Sequence, residues 1–364
     1  MVSAPLRLAA GLVVALLTGC AHPTAPPKPT VDADGTIHSP PIVVPPSGFI
    51  SPEARTTQHD IATHPYPPIP KASDPVEVYQ AGRETLNRDV YAPVIARAEA
   101  RFAVDLSSKT IAGVYADVVT PKNGIAARNK NKILINLHGG AFYNGARTES
   151  LVESIPIAAV GRIKVISLDY REGPENKYPA ASEDVAAVYK ELLKHYWAKN
   201  IGIYGCSAGG TLTAQAIAWI QVNKLPTPGA AGIFGAGAVR GTAGDSAYIA
   251  PLFAYGQMPP PPGYAGEEPG GYFTGTDPKD PRISPAYDLG TLAKFPSTLI
   301  LTATRDMALS AAIFTHSQLV KAGADSELHV WEGLTHCFFG DPDLPESQDA
   351  YAVITKFFDR HLGK

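Results

Sequence analysis

Short apolar runs separated by segments of helical period fill the chain from residue 114 onward. Residues 132–137 and 163–168 are almost continuous apolar stretches of strand length, the pattern of strands buried on both faces of a parallel sheet. Residues 114–119 alternate apolar and polar, then turn at Pro121 and Asn123-Gly124. Residues 297–302 and 326–331 repeat the short-run pattern, and 230–239 is a further, glycine-rich strand. Between and after them, 150–161, 182–197, 211–221, 309–322 and 348–361 carry apolar residues at helical spacing. Strand and helix alternate, which predicts an α/β fold with a mostly parallel central sheet and helices on both faces.

One junction stands apart. Residues 201–211 read Ile-Gly-Ile-Tyr-Gly-Cys-Ser-Ala-Gly-Gly-Thr: an alternating apolar strand, a turn bracketed by Gly205 and Gly209, then a helix. This is the G-x-S-x-G elbow, in which small residues let strand and helix backbones approach closely and lift the serine hydroxyl clear. Ser207 is therefore a candidate nucleophile, and the Ala208 amide at the helix start points at any oxyanion formed there. Acyl transfer also needs a base, a group to orient it, and further oxyanion donors. His138-Gly139-Gly140 follows the strand ending at Leu137, and its consecutive glycines allow close approach of backbone amides to a substrate oxygen. Asp306 lies just past the 297–302 strand and His336 in the loop after 326–331, which gives the chain order Ser, Asp, His. His316 and His361 fall on helices and His329 within a strand; Asp169, Asp184 and Asp280 suit structural loops.

Two stretches break the rhythm. Residues 75–103 place Val76, Tyr79, Leu86, Val90, Val94 and Ile95 at mixed helical spacing with Pro93 as a break, which predicts two short helices. Residues 241–292 are rich in Pro, Gly and Tyr without a clean period, and so long an irregular stretch marks a lid or pocket wall. Together they are expected to form a cap over Ser207. Residues 21–51 and 64–70 are crowded with proline and read as an extended spacer, 20–70, ahead of a catalytic domain at 71–364.

Before that spacer, Arg7 is followed by an apolar stretch at 8–17, too short to span a bilayer, and by Leu17-Thr18-Gly19-Cys20. This resembles the lipobox of bacterial lipoproteins. It implies a signal peptide at 1–19, lipid attachment at Cys20, and an exported, membrane-anchored protein on the periplasmic or extracellular side; Ala21 weakly favours the outer membrane. With 364 residues and a net charge of −3, the chain is long enough for one large domain and offers no reason to expect nucleic acid as a partner.

From about residue 75 onward the chain resembles the hormone-sensitive-lipase-like, bacterial esterase branch of the α/β hydrolases. The matching blocks are His138-Gly139-Gly140, Asp169-Tyr170-Arg171, Tyr178-Pro179-Ala180, Gly205-x-Ser207-Ala208-Gly209-Gly210, Asp280-Pro281-Arg282-Ile283-Ser284-Pro285, Asp306, and Gly333-Leu334-Thr335-His336. The resemblance implies Ser207, His336 and Asp306 as triad, oxyanion amides at Gly139, Gly140 and Ala208, and no metal or organic cofactor. It implies a small-molecule carboxylic ester of short to medium acyl length as substrate. A lactonase or serine peptidase would use the same triad, and a surface-attached binding protein on a dead hydrolase fold is the non-enzymatic alternative. The oligomeric state is left unassigned.

Ala141 stands in place of the commonest third glycine, Cys206 where an acidic residue usually precedes the serine, and Cys337 where glycine usually follows the histidine. With Cys20 consumed by lipid, Cys206 and Cys337 are an even pair. Each flanks a residue that catalysis must bring to the other, so the two are either bridged or a pair of buried thiols.

Overall fold

The computed structural model describes residues 28–64, 66–241, 244–258 and 271–364. The expected signal peptide and Cys20 lie outside the described residues. The chain divides into two units, Met1–Pro45 and Pro46–Lys364. In the first, strand β1 (Thr30–Val31) pairs antiparallel with β2 (Ile37–His38), a two-stranded ribbon within what the sequence suggests is plain spacer.

In the second unit the elements run α1 (Pro52–Thr63), α2 (Val76–Leu86), α3 (Ala92–Arg101), β3 (Val104–Ile111), β4 (Val114–Pro121), β5 (Ile133–Leu137), α4 (Glu149–Gly161), β6 (Lys164–Leu168), α5 (Ala180–Leu192), β7 (Ile201–Cys206), α6 (Ala208–Val222), β8 (Ala230–Phe234), α7 (Ser246–Tyr255), α8 (Leu289–Leu292), β9 (Ser297–Arg305), α9 (Leu309–Lys321), β10 (Ser326–Thr335) and α10 (Pro345–His361). Eight strands form one sheet in the order β10-β9-β8-β7-β5-β6-β4-β3. Every pair from β10 to β6 is parallel; β4 is antiparallel to both β6 and β3. The apolar runs are the inner strands: all residues of β5, β7 and β8 are buried. Two faces follow from two cores. Leu134, Val165, Tyr204 and Phe234 pack under α4 and α10, while Ile133, Ile135 and Ile203 pack under α5 and α6. The mostly parallel α/β architecture is the one expected.

Three local expectations need correction. The spacer does not reach residue 70: α1 folds within the second unit, capped by Ser51, whose Oγ accepts the Ala54 N–H at 3.0 Å. Pro93 breaks no helix. It sits near the start of α3, and a π-helical turn at Asn87–Tyr91 joins α2 to α3 in one continuous helical run, so the position without an N–H falls just past a local widening of the helix. Strand β3 was not anticipated because an edge strand pairs on one side only. Its Asp105, Ser107, Ser108 and Lys109 face solvent and leave no apolar run to read. No helix of the described residues is long and apolar enough to cross a membrane.

Candidate active site

The parallel strands end on one edge of the sheet, and four of those ends carry the expected groups. Ser207 follows β7 with φ 56° and ψ −123°, a left-handed backbone that an L-residue holds only under strain. Its N–H is fixed by the Phe234 carbonyl at 2.9 Å. A Cβ on Gly205 would stand 2.0 Å from the Leu137 carbonyl oxygen, and one on Gly209 only 1.7 Å from it. The glycine bracket is therefore enforced by β5, the neighbouring strand.

Asp306 follows β9 and is fully buried. Its Oδ1 accepts the Ala308 N–H at 2.8 Å, and its Oδ2 accepts the Thr302 hydroxyl at 3.0 Å. His336, past the end of β10, has Nδ1 2.7 Å from Asp306 Oδ1 and Nε2 2.9 Å from Ser207 Oγ. With Nδ1–H donating to the carboxylate, Nε2 is left free to accept the serine proton. Burial opposes charge on the imidazole, but the Asp306 charge and hydrogen bond, with Glu149 adding to them, leave its pKa raised. Burial also works against the Asp306 carboxylate, yet His336 and the two donors hold it below the usual range. The three candidate residues thus meet in one hydrogen-bonded run.

The turn after β5 is equally fixed. His138, buried and pushed down to a pKa of about 4, stays neutral and bonds through Nδ1 to the Gly139 carbonyl at 2.8 Å. The Gly140 carbonyl accepts Tyr143 N, Asn144 N and Asn144 Nδ2 at 2.8–3.1 Å. Because N–H and C=O of one trans peptide point oppositely, these bonds turn the Gly140 and Ala141 N–H groups away from the loop's interior. Gly139 departs from expectation: its N–H donates to Glu153 Oε1 at 2.8 Å, so it is not free to hold an oxyanion. Gly140 and Ala208 remain, with Ala141 added. The Ala208 amide, first in α6, has no acceptor within its helix.

The structure joins Cys206 to Cys337 by a disulfide, with Cα atoms 6.3 Å apart. Gly235, at φ 50°, lies across it: a Cβ there would meet both Sγ atoms and His336 Cε1 within about 3 Å.

Ser207 and His336 open into a cavity of about 690 Å³, within the range of small-molecule sites. Its wall draws on Ile61 of α1, on Tyr66, on Leu86, Val90, Tyr91 and Val94, and on Pro251 and Tyr255 of α7. Both expected cap segments therefore reach the cavity, and α1 joins them. The α2–α3 arm is stitched to the oxyanion turn. Arg83 Nε donates to the Tyr143 carbonyl at 2.6 Å, Thr148 Oγ1 to Asn87 Oδ1 at 2.8 Å, and Tyr91 Oη to Glu149 Oε2 at 2.7 Å. Glu149 and Glu153 were missed from the sequence. The available signal was two acids one helical turn apart at the head of the mostly apolar helical stretch, Glu149 just before 150–161 and Glu153 within it. Burial raises the pKa of both carboxyls. Among the described residues no group of His, Cys, Asp and Glu is arranged to hold a metal ion.

Comparisons with known proteins find hydrolases and esterases. An acetyl-hydrolase of Streptomyces hygroscopicus is 28% identical over 250 residues, covering 65% of this chain and 79% of that one. A crystal structure of an esterase superposes with TM-score 0.76 at 30% identity, over 89% of this chain and 98% of its own. An esterase from the bacterial hormone-sensitive lipase family does so with TM-score 0.70 at 25% identity, over 86% and 99%. The family described as alpha/beta hydrolase fold matches residues 134–340, a stretch that holds Ser207, Asp306 and His336. The chain belongs to the alpha/beta hydrolase fold family, on its hormone-sensitive-lipase-like branch.

Proposed function

We propose that this carboxylesterase-like hydrolase cleaves carboxylic esters of short to medium acyl length through an acyl-enzyme. Ser207 Oγ attacks the ester carbonyl carbon while its proton passes to His336 Nε2, and Asp306 holds the imidazole tautomer and stabilises the imidazolium. The tetrahedral oxyanion is held by the amides of Gly140, Ala141 and Ala208. Collapse breaks the ester C–O bond, and the leaving alkoxide takes the proton from Nε2. Water then attacks the acyl carbon and gives its proton to Nε2. That proton returns to Ser207 Oγ as the carboxylic acid departs.

The observation that carries this reading is the hydrogen-bonded run from Ser207 through His336 to Asp306, at 2.9 and 2.7 Å, opening into a cavity with a largely apolar wall. The 75–103 and 241–292 segments are read as the cap that selects the acyl group. The apolar stretch at 8–17 and Leu17-Thr18-Gly19-Cys20 support an exported protein anchored by lipid at Cys20. A fluorophosphonate probe should label the wild-type protein and release of p-nitrophenol from an acyl ester should follow the same site. Ser207→Ala should abolish both, and residual labelling or turnover in that variant would sink the proposal.

A further inference from the structure

Helix α4 presents two glutamates one turn apart to the base of the active site, and the reaction sequence above uses neither. Glu149 packs on Gly139, its Oε1 2.3 Å from where a Cβ would stand. Glu153 is 4% exposed and accepts three N–H groups. Oε1 takes Gly139 N at 2.8 Å; Oε2 takes Asn136 Nδ2 at 2.8 Å and Cys206 N at 3.2 Å. These donors belong to three separate pieces of the site: the strand β5, the oxyanion turn, and the residue before the nucleophile. Behind them Asn136 Oδ1 accepts the Ser167 hydroxyl at 2.5 Å, so the network continues into β6. A side chain with an acceptor at both ends is what this arrangement demands.

We infer that Glu153 is a positioning residue for ester cleavage: its carboxylate ties the oxyanion turn to the nucleophile elbow, holding the Gly139 N–H back so that Gly140 and Ala141 face the substrate. The inference rests on the acyl-transfer reading. It explains why the first glycine of the His-Gly-Gly turn does not serve as a donor. Its Cα is pressed by Glu149 and its N–H is held by Glu153. The elbow and the turn are 68 residues apart in sequence, from Gly139 to Ser207, and Glu153 bridges them with all three of its donors drawn from the protein.

Glu153→Gln tests this. Glutamine has one acceptor oxygen and one NH₂, so whichever way its amide lies, an NH₂ confronts at least one of the three N–H donors. With a short acyl ester, kcat should fall roughly 10- to 100-fold, at or below the cost of deleting one oxyanion donor. KM should stay within about twofold. The Ki of a boronic acid that forms a tetrahedral adduct on Ser207 should rise by about the factor by which kcat/KM falls. A merely structural role would lower the melting temperature while leaving kcat and the boronic acid Ki of the folded fraction unchanged, and that result overturns the inference. If wild type turns over ester and only the Glu153→Gln result disagrees, the inference alone fails; if wild type has no esterase activity, the functional reading fails first. Should Glu153→Gln not fold, the wild-type Gly139 amide decides by hydrogen exchange. Protection in the free protein, unchanged on adding the boronic acid, supports the tether. Protection that appears only with the boronic acid places Gly139 in the oxyanion hole and overturns it.

Discussion

Removing the Cys206–Cys337 bridge, by Cys206→Ala with Cys337→Ala or by reduction of the wild-type protein, should lower stability by about 5 kcal/mol. The bridge spans a sequence separation of 131, and a cross-link of that length removes about 5 kcal/mol of loop-closure freedom from the unfolded chain at 25 °C in the chain-entropy account. Folded domains have only about 5–15 kcal/mol in all, so the loss is a third or more of the total. For a compact unit running Pro46–Lys364, an unfolding entropy of about 2.1 cal/mol/K per residue converts it to a fall in melting temperature of about 7 °C. The bridge must first be counted: thiol titration of the unfolded, unreduced protein should find neither Cys206 nor Cys337 free. Guanidinium unfolding of oxidised protein, reduced protein and double variant then gives the difference. Reduced protein isolates the loop term, since the variant also loses the packing of two sulfurs at a site where Cys206 is buried. A loss under about 1 kcal/mol in both would refute the chain-entropy argument for this loop, even with the bridge proven.

Asp306→Asn should cut kcat about 10⁴-fold, because an amide no longer selects the imidazole tautomer that leaves Nε2 free. It should also move the acid limb of kcat/KM to lower pH: His336 must be neutral to take the serine proton, and Asp306 is what raises its pKa, so the wild-type limb should lie above about pH 6.5. A limb unmoved by the substitution would argue that another group titrates there. The same linkage has opposite signs for the two partners. The raised His336 contributes stability that is present below its unfolded pKa and lost as pH rises through the folded one. The lowered Asp306 contributes stability that is lost as pH falls through its folded value. Cys20→Ser should leave turnover unchanged and shift the protein from the membrane to the soluble fraction of the producing cell; retention in the membrane would count against lipid attachment.

The central strands were legible because burial on both faces writes itself as an apolar run: β5, β6 and β7 fall where 132–137, 163–168 and 201–206 suggested. The turns at their ends were legible for a different reason. Close backbone contact leaves glycine as the residue that fits, and Gly205, Gly209 and Gly140 each lie within about 2 Å of a forbidden Cβ clash. Where neither constraint acts, the sequence is quiet. Helix α1 buries Ala54 alone and is flanked by proline, so its composition matches that of a spacer. Gly139 looked like a donor because spacing alone cannot reveal that an acid 14 residues downstream takes its N–H. That bond is set by the tertiary packing of α4 against β5, to which no local pattern points.

One side of the cavity wall comes from a length of chain that carries none of the reacting groups. Residues between 54 and 97, with α7, line one side of the space; the other side is lined from the stretch that carries the reacting groups and the residues just past it, Tyr143, Val152, Leu334, Phe338, Phe339 and Leu344 among them. Along that first side, what the protein admits can drift apart from what it does to it. Exchanging residues among Ile61, Tyr66, Leu86, Val90 and Val94 recuts the space without touching the sheet edge that carries Ser207, Asp306 and His336. The exceptions are the stitches. Arg83, Asn87 and Tyr91 bond to the turn that presents Gly140 and Ala141, so a lineage that alters them to accept a new ester also moves the groups that set its rate. Selectivity is heritable separately from chemistry along the side of the wall drawn from 54–97, and at those three positions the two are inherited together.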